Sequence, residues 1–189
     1  MSVTSNTTLK SILSGSFVFV MAVAGVYIGM SLKERSSTPP VEAYSEPTSK
    51  FSPGMPFPNV QVLDESSKPV MTADILGGKG GVILFMEFGC PPCIEMADKW
   101  MQAITSGEAK DVPVYGIAIN LPMHIHSYRT KKGITFPIFS DSAGVFLNQY
   151  DVASYPTEVV IGKSGLIRYT TFDSREAIAF DLLQEQLAE

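Results

Sequence analysis

Cys90 and Cys93 are the only cysteines in a chain of 189 residues, and only Pro91 and Pro92 separate them. A bridge across so short a loop adds little to fold stability, because the chain entropy it removes grows with the length enclosed. The pair is therefore there to react or to hold a metal. As a redox pair, one thiolate attacks a disulfide, becomes a mixed disulfide, and is released when the neighbouring thiol attacks in turn. As a metal site the pair falls short of the four ligands that tetrahedral zinc takes, since the chain has no second Cys-x-x-Cys. His124 and His126 are the remaining soft donors, and their i, i+2 spacing puts them on different faces of a helix.

The elements around the cysteines decide which sulfur reacts. Val82-Ile83-Leu84-Phe85-Met86 is a continuous apolar run behind Gly77, Gly78, Gly80 and Gly81, which predicts a buried strand. Beyond Cys93 the apolar positions fall at Met96, Ala97, Trp100, Met101 and Ile104, which is helical spacing. Cys90 is thus expected at a helix N-terminus, with Cys93 one turn inside. Unpaired N–H groups and the positive end of the helix dipole favour a thiolate there and lower its pKa below the usual value of about 8.5. Pro91 and Pro92 suit an opening turn, where a missing N–H costs little, but they also remove two donors that could have reached the sulfur.

Hydrophobic residues make up 45% of the chain, enough for the core of one domain plus an extension. The net charge of −5 gives no support for a nucleic-acid partner. Residues 1–11 are a short polar tail carrying Lys10, and residues 12–32 are 21 positions without a charge. About 20 apolar residues span a bilayer as a helix, so 12–32 is expected to be a retained membrane anchor closed by Lys33-Glu34-Arg35. The competing reading is a cleaved signal peptide, with Ala22-Val23-Ala24 as its small-residue site. Lys10 on one side and Lys33 and Arg35 on the other leave orientation open on charge alone. Residues 33–50, rich in Ser, Thr, Pro and Glu, read as a flexible linker, and the folded domain is expected over 51–189.

Within that domain the pattern predicts a short strand at Val60–Leu63, a turn over Asp64–Lys68 leading to Val70, and a connecting turn at Asp74–Leu76. A second buried strand follows at Val112–Ile119, then a helix at Pro122–Lys132, an extended piece at Phe136–Phe139 and a short helix at Gly144–Tyr150. Thr157–Ile161 and Leu166–Thr171 flank Gly162-Lys163-Ser164-Gly165 as a hairpin. A closing amphipathic helix opens at Ser174. Strands alternating with helices predict an α/β fold around a mixed sheet.

Four features, in order, resemble the membrane-anchored TlpA/ResA-like thiol–disulfide oxidoreductases, thioredoxin-fold members of the redoxin (AhpC-TSA) superfamily. They are the proline-rich segment Pro53-Gly54-Met55-Pro56-Phe57-Pro58, the Cys90-Pro91-Pro92-Cys93 motif, Phe136-Pro137 with Asp141 and Gly144, and Tyr155-Pro156-Thr157. The resemblance implies a thioredoxin fold over about 51–187. Cys90 would then be the attacking and Cys93 the resolving cysteine, with Pro156 in a cis bond facing them and Tyr155 and Thr157 in the substrate loop. It also implies no cofactor beyond the redox-active disulfide, protein thiol and disulfide substrates such as cysteine pairs awaiting haem attachment, and an electron donor or oxidant in the membrane. The location it implies is the bacterial inner membrane, single-pass, with the C-terminal domain on the periplasmic side.

The chain departs from that family at two places. Gly89 stands where Trp is frequent before the first cysteine, and Leu84 stands where many thioredoxins bury an acid beneath the second. Glu87 and Glu95 are the candidates to substitute as the acid/base, although most glutamates so placed are solvated. Two alternatives share the fold. A copper carrier would add His124 or His126 to the cysteines, although such carriers usually space their cysteines by three residues. A peroxidase would place Thr or Ser three residues before the reactive cysteine, where Glu87 stands here.

Overall fold

The computed structural model describes residues 49–172 and 180–188. The tail at 1–11, the anchor at 12–32 with its Ala22–Ala24 alternative, the linker up to 48 and the helix opening at Ser174 lie outside the described residues. Among the described residues, no helix is long and apolar enough to cross a membrane.

The strands are β1 (Gln61–Leu63), β2 (Pro69–Met71), β3 (Gly81–Met86), β4 (Val114–Ala118), β5 (Ile138–Ser140), β6 (Thr157–Ile161) and β7 (Ile167–Thr171). The helices are α1 (Thr72–Leu76), α2 (Pro91–Ser106), α3 (Pro122–Lys132), α4 (Val145–Tyr150) and α5 (Phe180–Ala188). The strands form one sheet in the order β2-β1-β5-β4-β3-β6-β7. β3 runs parallel to β4 and β4 to β5, whereas β6 is antiparallel to β3, β7 to β6, and β1 to both β5 and β2. This is the mixed-sheet α/β fold expected from the sequence, of thioredoxin type.

β3 is buried along its whole length because both of its faces are covered. Val82, Leu84 and Met86 face a core built with Cys93, Met96, Ala97, Trp100 and Ala103 of α2. Ile83 and Phe85 face the opposite core, with Phe51, Phe57, Phe146 and Val159. Each such side chain contributes about 1.5–3 kcal/mol by leaving water. The alternation of a strand and the i, i+3, i+4, i+7 stripe of a helix therefore meet across one interface, and it is this interface that seats Cys93.

Three local expectations are corrected. Thr72–Leu76 is a helix and not a turn, closed by Gly77 at φ +53°. The second buried strand begins at Val114, after Pro113, and runs through Gly116 without a break. At Gly116 a Cβ would stand 2.8 Å from Ile138 Cγ1, so the missing side chain is what lets β5 lie beside β4. β7 begins at Ile167, and the β6–β7 register shifts between Val160 and Ile161.

Candidate active site

Cys90 is the N-cap of α2, and Pro91 and Pro92 fill the next two positions. The prolines carry no N–H, so the donor that reaches the cap sulfur comes from one residue further on: Cys93 N–H donates to Cys90 Sγ at 3.3 Å. That bond and the helix dipole both act on Cys90 when it is a thiolate. The cysteines form a disulfide with their Cα atoms 5.3 Å apart. The two sulfurs differ in access: Cys90 is half-buried, whereas Cys93 is 0% exposed. An incoming substrate can meet only Cys90.

The loop feeding α2 is held on several sides. Cys90 N–H donates to the Glu87 carbonyl at 3.3 Å, and Phe88 N–H donates to Asn120 Oδ1 at 2.8 Å. The Phe88 ring stacks on Tyr128 of α3 with centroids 3.9 Å apart and planes 9° from parallel. Asn120 carries no pattern signal in the sequence, and only the fold brings it to this loop. Gly89 is exposed at φ +92°, in the left-handed region, with nothing within 4 Å of where a Cβ would stand. Space does not exclude a side chain at 89; the backbone conformation disfavours one.

The Tyr155–Pro156 bond is cis, and the Tyr155 carbonyl oxygen lies 3.7 Å from Cys90 Sγ. Of the three residues expected in the substrate loop, Tyr155 is half-buried and presents its backbone to the sulfur, while Pro156 is buried. Thr157 is 0% exposed, and its hydroxyl donates to the Ser154 carbonyl at 2.7 Å. Thr157 therefore fastens the turn from inside and does not line a groove. Burial pushes the Tyr155 hydroxyl up to about 12, with the nearby Asp141 and Glu87 charges adding to it. Asp141 is itself buried and accepts the Val145 and Phe146 N–H groups at 2.8 and 2.9 Å, capping α4. Burial raises its pKa, and those two bonds oppose the rise.

Glu87 and Glu95 are both exposed. The acid buried beneath α2 is another one, Glu158 of β6, at 4% exposure. Its Oε2 accepts the Trp100 indole N–H at 2.8 Å. Its Oε1 is buried with no hydrogen-bond partner among the described residues. Burial pushes this carboxyl up to about 7, opposed by the Trp100 hydrogen bond and the Lys99 charge. Glu158 pairs across the ladder with Leu84, the position where the expected acid is absent. A single carboxylate directly before the apolar run Val159-Val160-Ile161 was the available sequence signal, because a charge in a fully buried strand needs a reason.

The histidines stand apart from this arrangement. His124 and His126 are exposed on α3, and His126 Nδ1 lies 3.5 Å from Glu65 Oε2, whose other oxygen pairs with Arg129. Among the described residues, no group of three or more His, Cys, Asp or Glu side chains is placed to hold a metal ion.

Residues 53–170 match the AhpC/TSA family. The chain is 26% identical over 141 residues to the thiol-disulfide oxidoreductase ResA of Bacillus subtilis (strain 168), covering 70% of this chain and 75% of that one. Its fold is similar to that of a secreted Mycobacterium tuberculosis disulfide oxidoreductase homologous to E. coli DsbE, with a TM-score of 0.54 at 24% identity over 69% of this chain and 95% of that one. It is also similar in fold to a thiol peroxidase from Chromobacterium violaceum, with a TM-score of 0.59 at 14% identity over 72% of this chain and 87% of that one.

Proposed function

The chain belongs to the AhpC/TSA family, and from that premise we propose that it is a membrane-tethered, extracytoplasmic thiol–disulfide oxidoreductase that reduces protein disulfides. The observation that carries the exchange chemistry is the asymmetry of the pair. Cys90 is half-buried, caps a helix and accepts an N–H, while Cys93 is fully buried one turn inside. The first is the sulfur a substrate can reach, and the second can attack only a bond already formed at Cys90. The Tyr155 carbonyl, 3.7 Å from Cys90 Sγ, stands where the backbone of an extended substrate segment would donate to it.

The remaining parts of the reading rest on the sequence. Residues 12–32 anchor the chain in the bacterial inner membrane, and residues 33–50 let the domain reach its substrates on the periplasmic side. Disulfide substrates exist in that compartment. Each turnover leaves the pair oxidised, so a reductase needs a membrane electron donor to restore the dithiol. The substrates are protein cysteine pairs, those awaiting haem attachment among them. ResA is named a thiol-disulfide oxidoreductase and the Mycobacterium tuberculosis protein is described as secreted, both in keeping with this assignment.

The likeness in fold to a thiol peroxidase supports a second reading. There the Cys90 thiolate would attack a hydroperoxide, breaking its O–O bond to give a Cys90 sulfenic acid and the corresponding alcohol, and the Cys93 thiol would condense with the sulfenic acid to the same disulfide, releasing water. One experiment separates the two. The full chain carrying Cys93→Ser is expressed, recovered from membranes under acid quench and run without reductant. A mixed disulfide through Cys90 to an exported protein is the expected result, absent when Cys90→Ser is added. A folded Cys93→Ser chain that traps no protein, while the unaltered chain consumes hydroperoxide, overturns the reductase reading in favour of the peroxidase.

A further inference from the structure

We infer that Glu158 is the proton acceptor that frees the buried Cys93 thiol to attack the mixed disulfide at Cys90. The inference rests on the exchange chemistry proposed above and adds a residue to it. Cys93 is 0% exposed, so solvent cannot take its proton directly. Glu158 is two residues before Val160 on β6, and Val160 belongs to the same core cluster as Cys93; Glu158 Oε1 is buried and without a hydrogen-bond partner among the described residues. An acceptor left in that state costs stability, so its place needs a reason.

The placement follows from helix and strand geometry. Cys93, Met96, Ala97 and Trp100 form one buried stripe of α2. Side chains on a helix lean toward its N-terminus, so the indole of Trp100 leans from its own Cα toward the Cys93 turn. Glu158 Oε2 is fixed to that indole N–H at 2.8 Å, which leaves Oε1 as the free oxygen of the carboxylate. From below, Glu158 stands beside Leu84 in the β3–β6 ladder, and Leu84 and Cys93 belong to the same core cluster. Among the described residues the buried carboxyls are Glu158 and Asp141, and Asp141 is taken up in capping α4. Leu84 and Met86 come from β3, Val160 from β6, and Leu183 and Leu187 from α5. The other polar side chains around this core layer are Lys99 on α2, Tyr128 on α3, Tyr169 on β7, and the buried Thr171, which pairs with Glu158 across the β6–β7 ladder. None of these is a base at neutral pH.

The step balances as follows. With Cys90 in a mixed disulfide and one substrate thiolate already displaced, Cys93 Sγ–H passes its proton to Glu158 Oε1. The Cys93 thiolate attacks Cys90 Sγ, the Cys93–Cys90 bond forms, the Cys90–substrate bond breaks, and the second substrate thiolate leaves. The dithiol loses two electrons and the substrate disulfide gains them. The departing thiolate takes a proton from solvent, and Glu158 gives up its own as the cycle resets. The carboxyl, pushed up to about 7 by burial, is matched to accept and release a proton near neutrality.

The test uses the full reduced chain in detergent and a symmetric aryl disulfide whose thiolate is coloured. Attack by Cys90 releases the first coloured thiolate, and closure by Cys93 releases the second, so the two steps are read separately. In the unaltered chain the second phase is expected to accelerate as pH rises through the neutral range. Glu158→Gln is expected to leave the first phase unchanged, slow the second by roughly 100-fold, and abolish that neutral limb. The double variant Leu84→Asp with Glu158→Leu, which moves the acid to its ladder partner, is expected to recover a pH-dependent second phase. A second phase flat through neutrality in the unaltered chain overturns the inference without any variant. So does a Glu158→Gln slowing that is equal at every pH, since that is the signature of a structural role. Absence of the first phase in the unaltered chain overturns the exchange reading itself.

Discussion

Replacing Glu158 by Gln should make the pH dependence of stability visible as a difference between two proteins. The carboxyl is pushed from 4.5 to about 7 by burial. A rise of that size corresponds to about 3 kcal/mol at about 1.4 kcal/mol per pH unit of displacement. The folded state holds this proton more tightly than the unfolded chain does. The stability it confers is therefore fully present below about pH 4.5 and is lost as pH rises through about 7. Gln keeps the size, the neutral charge and an oxygen for the Trp100 N–H, but has no proton to lose. Urea melts of the oxidised full chain, taken from about pH 4 to about pH 8, measure the effect. Glu158→Gln should gain on the unaltered protein by about 3 kcal/mol across that range, with little difference at the acid end. Two stability curves that stay parallel from acid to neutral pH would refute the burial argument, whatever their offset.

Two further outcomes follow from single contacts. Trp100→Phe removes the indole N–H from a buried carboxylate, and chemical denaturation should report a loss of about 1.5–3 kcal/mol beyond the packing change, larger above neutrality, where the acid is charged, than below. Gly89→Trp places a side chain on a backbone at φ +92°; thermal melts should show a cost of about 1–3 kcal/mol for the left-handed conformation, and alkylation of the reduced protein should show Cys90 slowed by the bulk beside it.

Much of the site was legible because it rests on local physics. A helix beginning at Cys90 follows from the apolar spacing of Met96, Ala97 and Trp100 and from prolines that only a first turn tolerates. The burial of Val82–Met86 follows from an unbroken apolar run, which strands show when both faces are covered. The run of helix–strand alternations from α2 to β7 was likewise readable as periodicity. Where side chains stand in space was less legible, because long-range contacts set it. Glu87 and Glu95 stand near the cysteines in sequence, and the strand end and the solvent face of α2 leave both exposed. Thr157 stands next to Pro156, but it opens β6, which is buried on both faces, and its hydroxyl is taken up by the Ser154 carbonyl.

By itself the sequence determined that two thiols stand at a strand-to-helix junction, one at the helix N-terminus and the other a turn inside, since spacing along the chain sets both. The tertiary structure alone decided which acid serves them. Glu158 is 65 residues beyond Cys93 in the sequence. It comes beneath α2 only because β6 runs antiparallel to β3 with Glu158 opposite Leu84, a register that no pattern within either strand specifies.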